Sequence, residues 1–285
     1  MAETRGRRRW RGVRHLGGPG LAARARLIRV VPLGEIQFPV SLANTAFSLT
    51  LQLYLYYCLW NALYAGAGEQ QATARTQIIS FSLLGVLLSR TRWGFSASRR
   101  DTIAQRVRDG SIVHWYVRPL EPRKFAFWLY LGDSAYRVLW LVPGWSACVA
   151  LGALAVPRDL TRLAVALVSI VLGQVILYYL SVLVDLTCFW TTSNTGIQRL
   201  NQFAQEILSG SIVPLWLLPS AVSGVAGALP FAAAVNTPLS LYSGRTPESS
   251  VPGVLLLQCV WIVVLGTASR WVWRSAGRRV AVQGG

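Results

Sequence analysis

The chain has 285 residues, 53% of them hydrophobic and 14% charged, whereas a soluble domain runs nearer to about 25% charged. That balance excludes an ordinary soluble fold and predicts an all-α membrane protein that crosses the bilayer several times. The net charge of +17 would suggest nucleic acid in a soluble protein. Here the basic residues flank apolar runs without any stacking or groove-reading module, so they read as membrane anchors and no nucleic-acid partner is expected.

Residues 1–36 read as a cytoplasmic basic arm ending in an interfacial helix. The first 35 residues hold nine arginines, and no apolar core of about 7–15 residues follows them closely, so the arm is not expected to be a signal peptide. Its composition also fits a transit peptide, but the same residues serve equally as a membrane anchor. Leu21, Ala25 and Ile28 share one helical face, which predicts a helix lying on the membrane and ending before Pro32.

Residues 37–276 read as a six-span transmembrane domain. The first span runs from Val40 to Tyr64, with Tyr54, Tyr56, Tyr57 and Trp60 toward its outer half as an aromatic belt or a surface for an aromatic substrate. A short polar loop leads to the second span, Thr76–Ser89. The loop 90–124 is a polar island with nine of the 28 basic residues and three acids, Asp101, Asp109 and Glu121. Within it Asp101 can cap a short amphipathic helix whose Ile103 and Val107 are four apart, and Gly110 supplies a left-handed stop. Arg99, Arg100, Arg106 and Arg108 offer donors to carboxylates on a partner, while Ile103 and Val107 would fill a groove in it; lipid headgroups are the alternative occupant.

The third apolar run, Phe125–Val156, contains Asp133, Arg137 and Pro143, and is expected to leave the interface over Phe125–Asp133 and to cross over Ser134–Val156. Gly144, Cys148 and Gly152 fall four apart, the small-residue spacing that lets membrane helices approach closely. After a turn at Pro157–Arg162, the fourth span Leu163–Trp190 carries Asp185. A fifth span is expected over Gln198–Leu218. Two short helices, Ala221–Leu229 and Phe231–Tyr242, form an outer re-entrant segment within 219–242. The sixth span, Pro252–Trp271, ends in an aromatic and basic anchor built from Arg270, Trp271, Trp273, Arg274, Arg278 and Arg279, with 277–285 as a cytoplasmic tail. The arm and the island contribute nine basic residues each, the tail four and Arg199 one, so 23 of 28 would lie on one side. That asymmetry puts both termini in the cytoplasm.

Ionisable residues within spans are candidates for function. Asp133 and Arg137, one turn apart, can pair along the helix, and with Asp185 they make an in-membrane charge network, either structural or part of a path. Glu206 and Gln202 either line a water-filled cavity or sit among headgroups; with Tyr56, Trp60 and Ser82 they form the candidate substrate pathway.

The absences restrict the chemistry. A phosphate-binding loop of the form GxxxxGK[ST] needs a lysine, and the only one, Lys124, follows Pro122 and Arg123. Two histidines, His15 and His114, cannot supply HExxH zinc chemistry, and the four cysteines, Cys58, Cys148, Cys188 and Cys259, stand singly in separate apolar runs. No catalytic residue, metal or bound cofactor is therefore expected on this chain.

Five segments carry a resemblance: RVRDGSIVHWYVRPLEP at 106–122, FWTT at 189–192, LSGSIVPLWLLP at 208–219, LPFAAAVNTP at 229–238 and RRVAVQGG at 278–285. Together they resemble the membrane subunits of bacterial type-2 ATP-binding-cassette (ABC-2) transporters. The resemblance implies six spans, an amino-terminal amphipathic helix, a coupling helix after the second span and two re-entrant helices before the sixth. It also implies ATP and Mg on a separate ATP-binding subunit present in two copies, a second permease identical or related, a small hydrophobic or amphipathic substrate, and export across the bacterial inner membrane. The long Arg-rich arm departs from the family pattern. The competing readings are a secondary transporter driven by ions through Asp133, Asp185 or Glu206, and a membrane scaffold that moves nothing.

Overall fold

The computed structural model describes residues 39–65, 72–90, 103–117, 121–157, 159–191, 194–211 and 214–283. Ten α-helices occur among the described residues, and no strand: α1 (Pro39–Leu63), α2 (Ala72–Ser89), α3 (Ile103–Arg108), α4 (Val113–Val117), α5 (Pro122–Ala150), α6 (Leu160–Leu186), α7 (Thr195–Leu208), α8 (Ser220–Ala228), α9 (Pro230–Tyr242) and α10 (Val251–Gln283). The expected arm helix at Leu21–Pro32 lies outside the described residues, as do Arg99, Arg100 and Asp101.

Local chemistry sets the boundaries. The Asp159 carboxylate accepts from the Thr161 N–H at 2.9 Å and caps α6. Pro122 opens α5 at a position where its missing N–H costs nothing. Gly110 stops the α3 turn in the left-handed region expected of it, at φ 70°.

Among the described residues two segments are long and apolar enough to cross a membrane, Leu160–Phe189 and Glu248–Gly277, each of 30 residues and therefore about 45 Å long. A third apolar unit is the pair α8 and α9, bent by 102° between Ala228 and Pro230. It is a broken span or a re-entrant turn. α1 and α5 have the length, 25 and 29 residues, but carry polar side chains such as Asn44, Gln52 and Asn61 in α1 and Arg123, Lys124, Asp133 and Arg137 in α5.

Two expectations change. The third apolar run is one continuous helix from Pro122, with Pro143 inside it, and it stops at Ala150, short of the Val156 end expected for the span. The proposed fifth span breaks, because α7 stops at Leu208, Gly210 turns the chain at φ 70°, and a single 3-10 turn follows at Leu215–Leu217. At 14 residues α7 spans about 21 Å, short of the ~30 Å hydrocarbon core. Beyond the sixth span, α10 continues as helix to Gln283, into the segment read as a cytoplasmic tail.

The main core forms where α2 packs among α5, α6, α9 and α10, around Phe81, Leu83, Leu87, Ile176, Leu177, Val235 and Leu239. A second core closes the opposite, basic end of the bundle, where Ile103, Ile112, Trp115, Phe125, Tyr130, Tyr178, Val182, Leu186 and Trp273 meet.

One residue joins three helices at the middle of the main core. Gln258 of α10 is 0% exposed. Its amide donates to the Ala233 carbonyl of α9 at 2.7 Å and the Ser169 carbonyl of α6 at 3.1 Å, and accepts from the Ser169 hydroxyl at 3.0 Å. Gln258→Leu is expected to lower stability by about 1–3 kcal/mol for each group left unpaired, read as a fall in melting temperature in detergent. An unchanged melting curve would mean that the three helices hold together without it.

Candidate functional site

The candidate site has two parts: a platform at the basic end, and the expected pathway residues further along the bundle.

The platform is built on α3. Its six residues cannot hold a helix alone, so packing holds them. Ile103, only 3% exposed, enters the second core, Val107 packs at its edge, and Arg106 lies over the Trp115 ring at 5.5 Å. Trp115 in turn meets Phe125 edge-on at 4.9 Å. The apolar face that the sequence offered to a partner is thus turned inward, onto α5 and α6. What faces outward is the turn after α3: Arg108 and Asp109 are exposed, Gln105 bonds both, to Asp109 at 3.1 Å and to Arg108 at 2.9 Å, and Gly110 ends the run.

The three residues of the expected charge network have these partners. Arg137 Nε donates to Asp133 at 2.8 Å with both side chains buried, and Arg137 Nη1 donates to the backbone carbonyl of Arg90 at 3.1 Å. The Arg90 guanidinium reaches Gln52 at 2.8 Å and Ser48 at 3.2 Å on α1. So the pair on α5 is tied to the end of α2 and to α1. Asp185, at the end of α6, accepts from Gln198 of α7 at 3.0 Å.

Among the pathway residues, Tyr56 of α1 is half-buried and lies within electrostatic reach of Glu206 of α7. Gln202 is exposed. Trp60 is buried beside Tyr64, with ring centroids 6.5 Å apart. Ser82 is buried in α2, and its hydroxyl has no hydrogen-bond partner among the described residues.

In the packing trio, a methyl at Gly144 would come 2.5 Å from Leu87 Cδ2 of α2, and Cys148 is buried in the same core. Gly152 does not share that face. It follows the end of α5 at φ 67° with open space around it, so it serves the turn.

Sequence reasoning missed a junction. The α7 end folds back through Ser209, Gly210 and Ser211, with Ser209 and Ser211 hydroxyls 3.1 Å apart. Here α2 approaches so closely that a methyl on Gly85 would stand 3.0 Å from the Ser211 carbonyl oxygen, and one on Gly210 would stand 3.3 Å from Asn236 Oδ1 of α9. Two of the quoted segments, LSGS at 208–211 and AVNTP at 234–238, therefore meet in space.

A family model described as ABC-2 family transporter protein matches residues 41–284. The chain belongs to the ABC-2 transporter family. As an ABC-2 permease it is a membrane transport component, of a family that is generally non-catalytic and generally works with an ATP-binding partner. No curated protein matches this ABC-2 chain. Among its described residues no group of three or more His, Cys, Asp or Glu side chains could hold a metal. The Ser209–Ser211 fold-back had one available signal, the Ser-Gly-Ser punctuation between an amphipathic stretch and Pro214.

Proposed function

We propose that this chain converts nucleotide-driven closure of separate ATP-binding subunits into movement of a hydrophobic or amphipathic small molecule outward across the bacterial inner membrane. Two ATP-binding subunits, which bind ATP and Mg, and a second permease complete the transporter, with both termini of this chain in the cytoplasm. The observation that carries the reading is the α3 platform. An exposed turn at Arg108–Gly110 is joined through Ile103, Trp115 and Phe125 to α5 and α6, so a push on the turn is passed to the spans by packed side chains.

The test uses the exposed turn, because Ile103→Glu would bury a charge in the second core and damage the fold itself. In the double variant Arg108→Glu with Asp109→Arg, insertion and melting temperature are expected to stay at wild-type values. The chain should lose its ATP-binding subunit on co-purification, or the reconstituted complex should hydrolyse ATP without substrate stimulation, the result of a contact worth about 2 kcal/mol or more. Normal assembly with normal transport would remove α3 from the coupling role.

A further inference from the structure

At the basic end of the bundle, the start of α5 and the second half of α10 enclose a cleft of about 290 Å³ lined by Glu121, Pro122, Arg123, Arg270, Trp273 and Arg274. Glu121 is engaged by Lys124 at 3.4 Å. None of the three arginines has an ion-pair partner among the described residues. Trp273 is 8% exposed, and its indole N–H has no acceptor among the described residues. The first N–H groups of α5 add the positive end of a 29-residue helix. Three arginines and a helix start thus border a space whose one carboxylate, Glu121, is engaged by Lys124.

The surface beside the cleft identifies which anion. Leu256, Val260, Val263 and Val264 of α10 are exposed and lead along the helix to Arg270, Trp271 and Arg274, with Trp271 70% exposed. From Leu256 to Arg270 this stripe covers about 21 Å, more than the ~15 Å depth of one leaflet's hydrocarbon. A free phosphate would use the arginines and leave the stripe bare. We infer that the cleft between α5 and α10 is a specific site for an anionic phospholipid, its phosphate held by Arg123, Arg270 and Arg274 and its acyl chain laid along the Leu256–Val264 stripe. The headgroup bridges two helices that both contribute to the second core, through Phe125 and Trp273, and so braces the end that carries α3. This binding does not depend on the coupling role of α3.

The experiment melts the delipidated, purified protein in detergent with phosphatidylglycerol, phosphatidylcholine or inorganic phosphate. Phosphatidylglycerol is expected to raise the melting temperature and to be retained through purification, and the other two are not. Arg123→Gln, Arg270→Gln and Arg274→Gln together should weaken the apparent affinity by about fivefold for each arginine, on the order of 100-fold in all. A variant with the same loss of charge outside the cleft, Arg75→Gln, Arg108→Gln and Arg199→Gln, should keep most of the shift. An equal shift with phosphatidylcholine, the same shift with inorganic phosphate, or equal losses in the two triple variants would each overturn the site.

Discussion

Gly173→Leu is expected to leave no folded protein to purify. A methyl at this position in α6 would overlap the Ala234 carbonyl oxygen, with the carbonyl carbon 3.1 Å and the Cα 3.3 Å away. These are backbone atoms of α9, so no rotamer change relieves the contact. The two helices must separate, and with them the Gln258 junction one turn along. Overpacking a core costs about 1–3 kcal/mol when side chains can shift and more when they cannot. Even Gly173→Ala should therefore lower the melting temperature sharply. Gly224→Ala in α8, with nothing within 4 Å of the added methyl, should be neutral or slightly stabilising, as alanine is in a helix. Similar melting temperatures for Gly173→Ala and Gly224→Ala would show that α6 and α9 are not in backbone contact.

Asp133→Leu should be nearly as damaging, for an electrostatic reason. It leaves the buried Arg137 guanidinium without its carboxylate at 2.8 Å, and breaking a buried pair from one side costs about 3–5 kcal/mol. Asp133→Leu with Arg137→Met removes both charges, and replacing a buried pair by apolar side chains is often neutral or stabilising. The double variant should thus recover most of the lost stability. Recovery in stability alone, without transport, would assign the pair to function; recovery in both would make it a structural tie between α5, the end of α2 and α1. A single Asp133→Leu that melts as the wild type would mean that water reaches Arg137.

The pair also shows what sequence can convey. An acid and a base four residues apart on a helix meet whatever surrounds them, so Asp133 and Arg137 were legible. The two residues sit within one continuous helix, and charge alone does not say where along it the interface lies. The α8 and α9 pair was legible from Pro219 and Pro230, which punctuate the chain, and the α3 turn from Gly110. The direction of the α3 apolar face was not. In a membrane protein an apolar side chain can meet lipid, a partner or its own core, and periodicity gives the face without the occupant. Close approaches such as Gly173 to Ala234 or Gly85 to Ser211 depend on how two helices cross, which neither helix encodes alone. Gly152 failed for a related reason: spacing matched a packing motif, but the helix ended at Ala150.

The Gln258 junction bears on a demand that every pump faces. A membrane protein that opens a path for its substrate must not let protons or ions leak when the path is shut, and leakage follows threads of water along unsatisfied polar groups. Both amide hydrogens of Gln258 are committed to carbonyls on different helices, its oxygen is occupied by Ser169, and the side chain is sealed from solvent. A saturated polar crossing of this kind gives water no foothold, so at this level of the bundle α6, α9 and α10 form an insulated seal. Any conducting route must avoid this crossing.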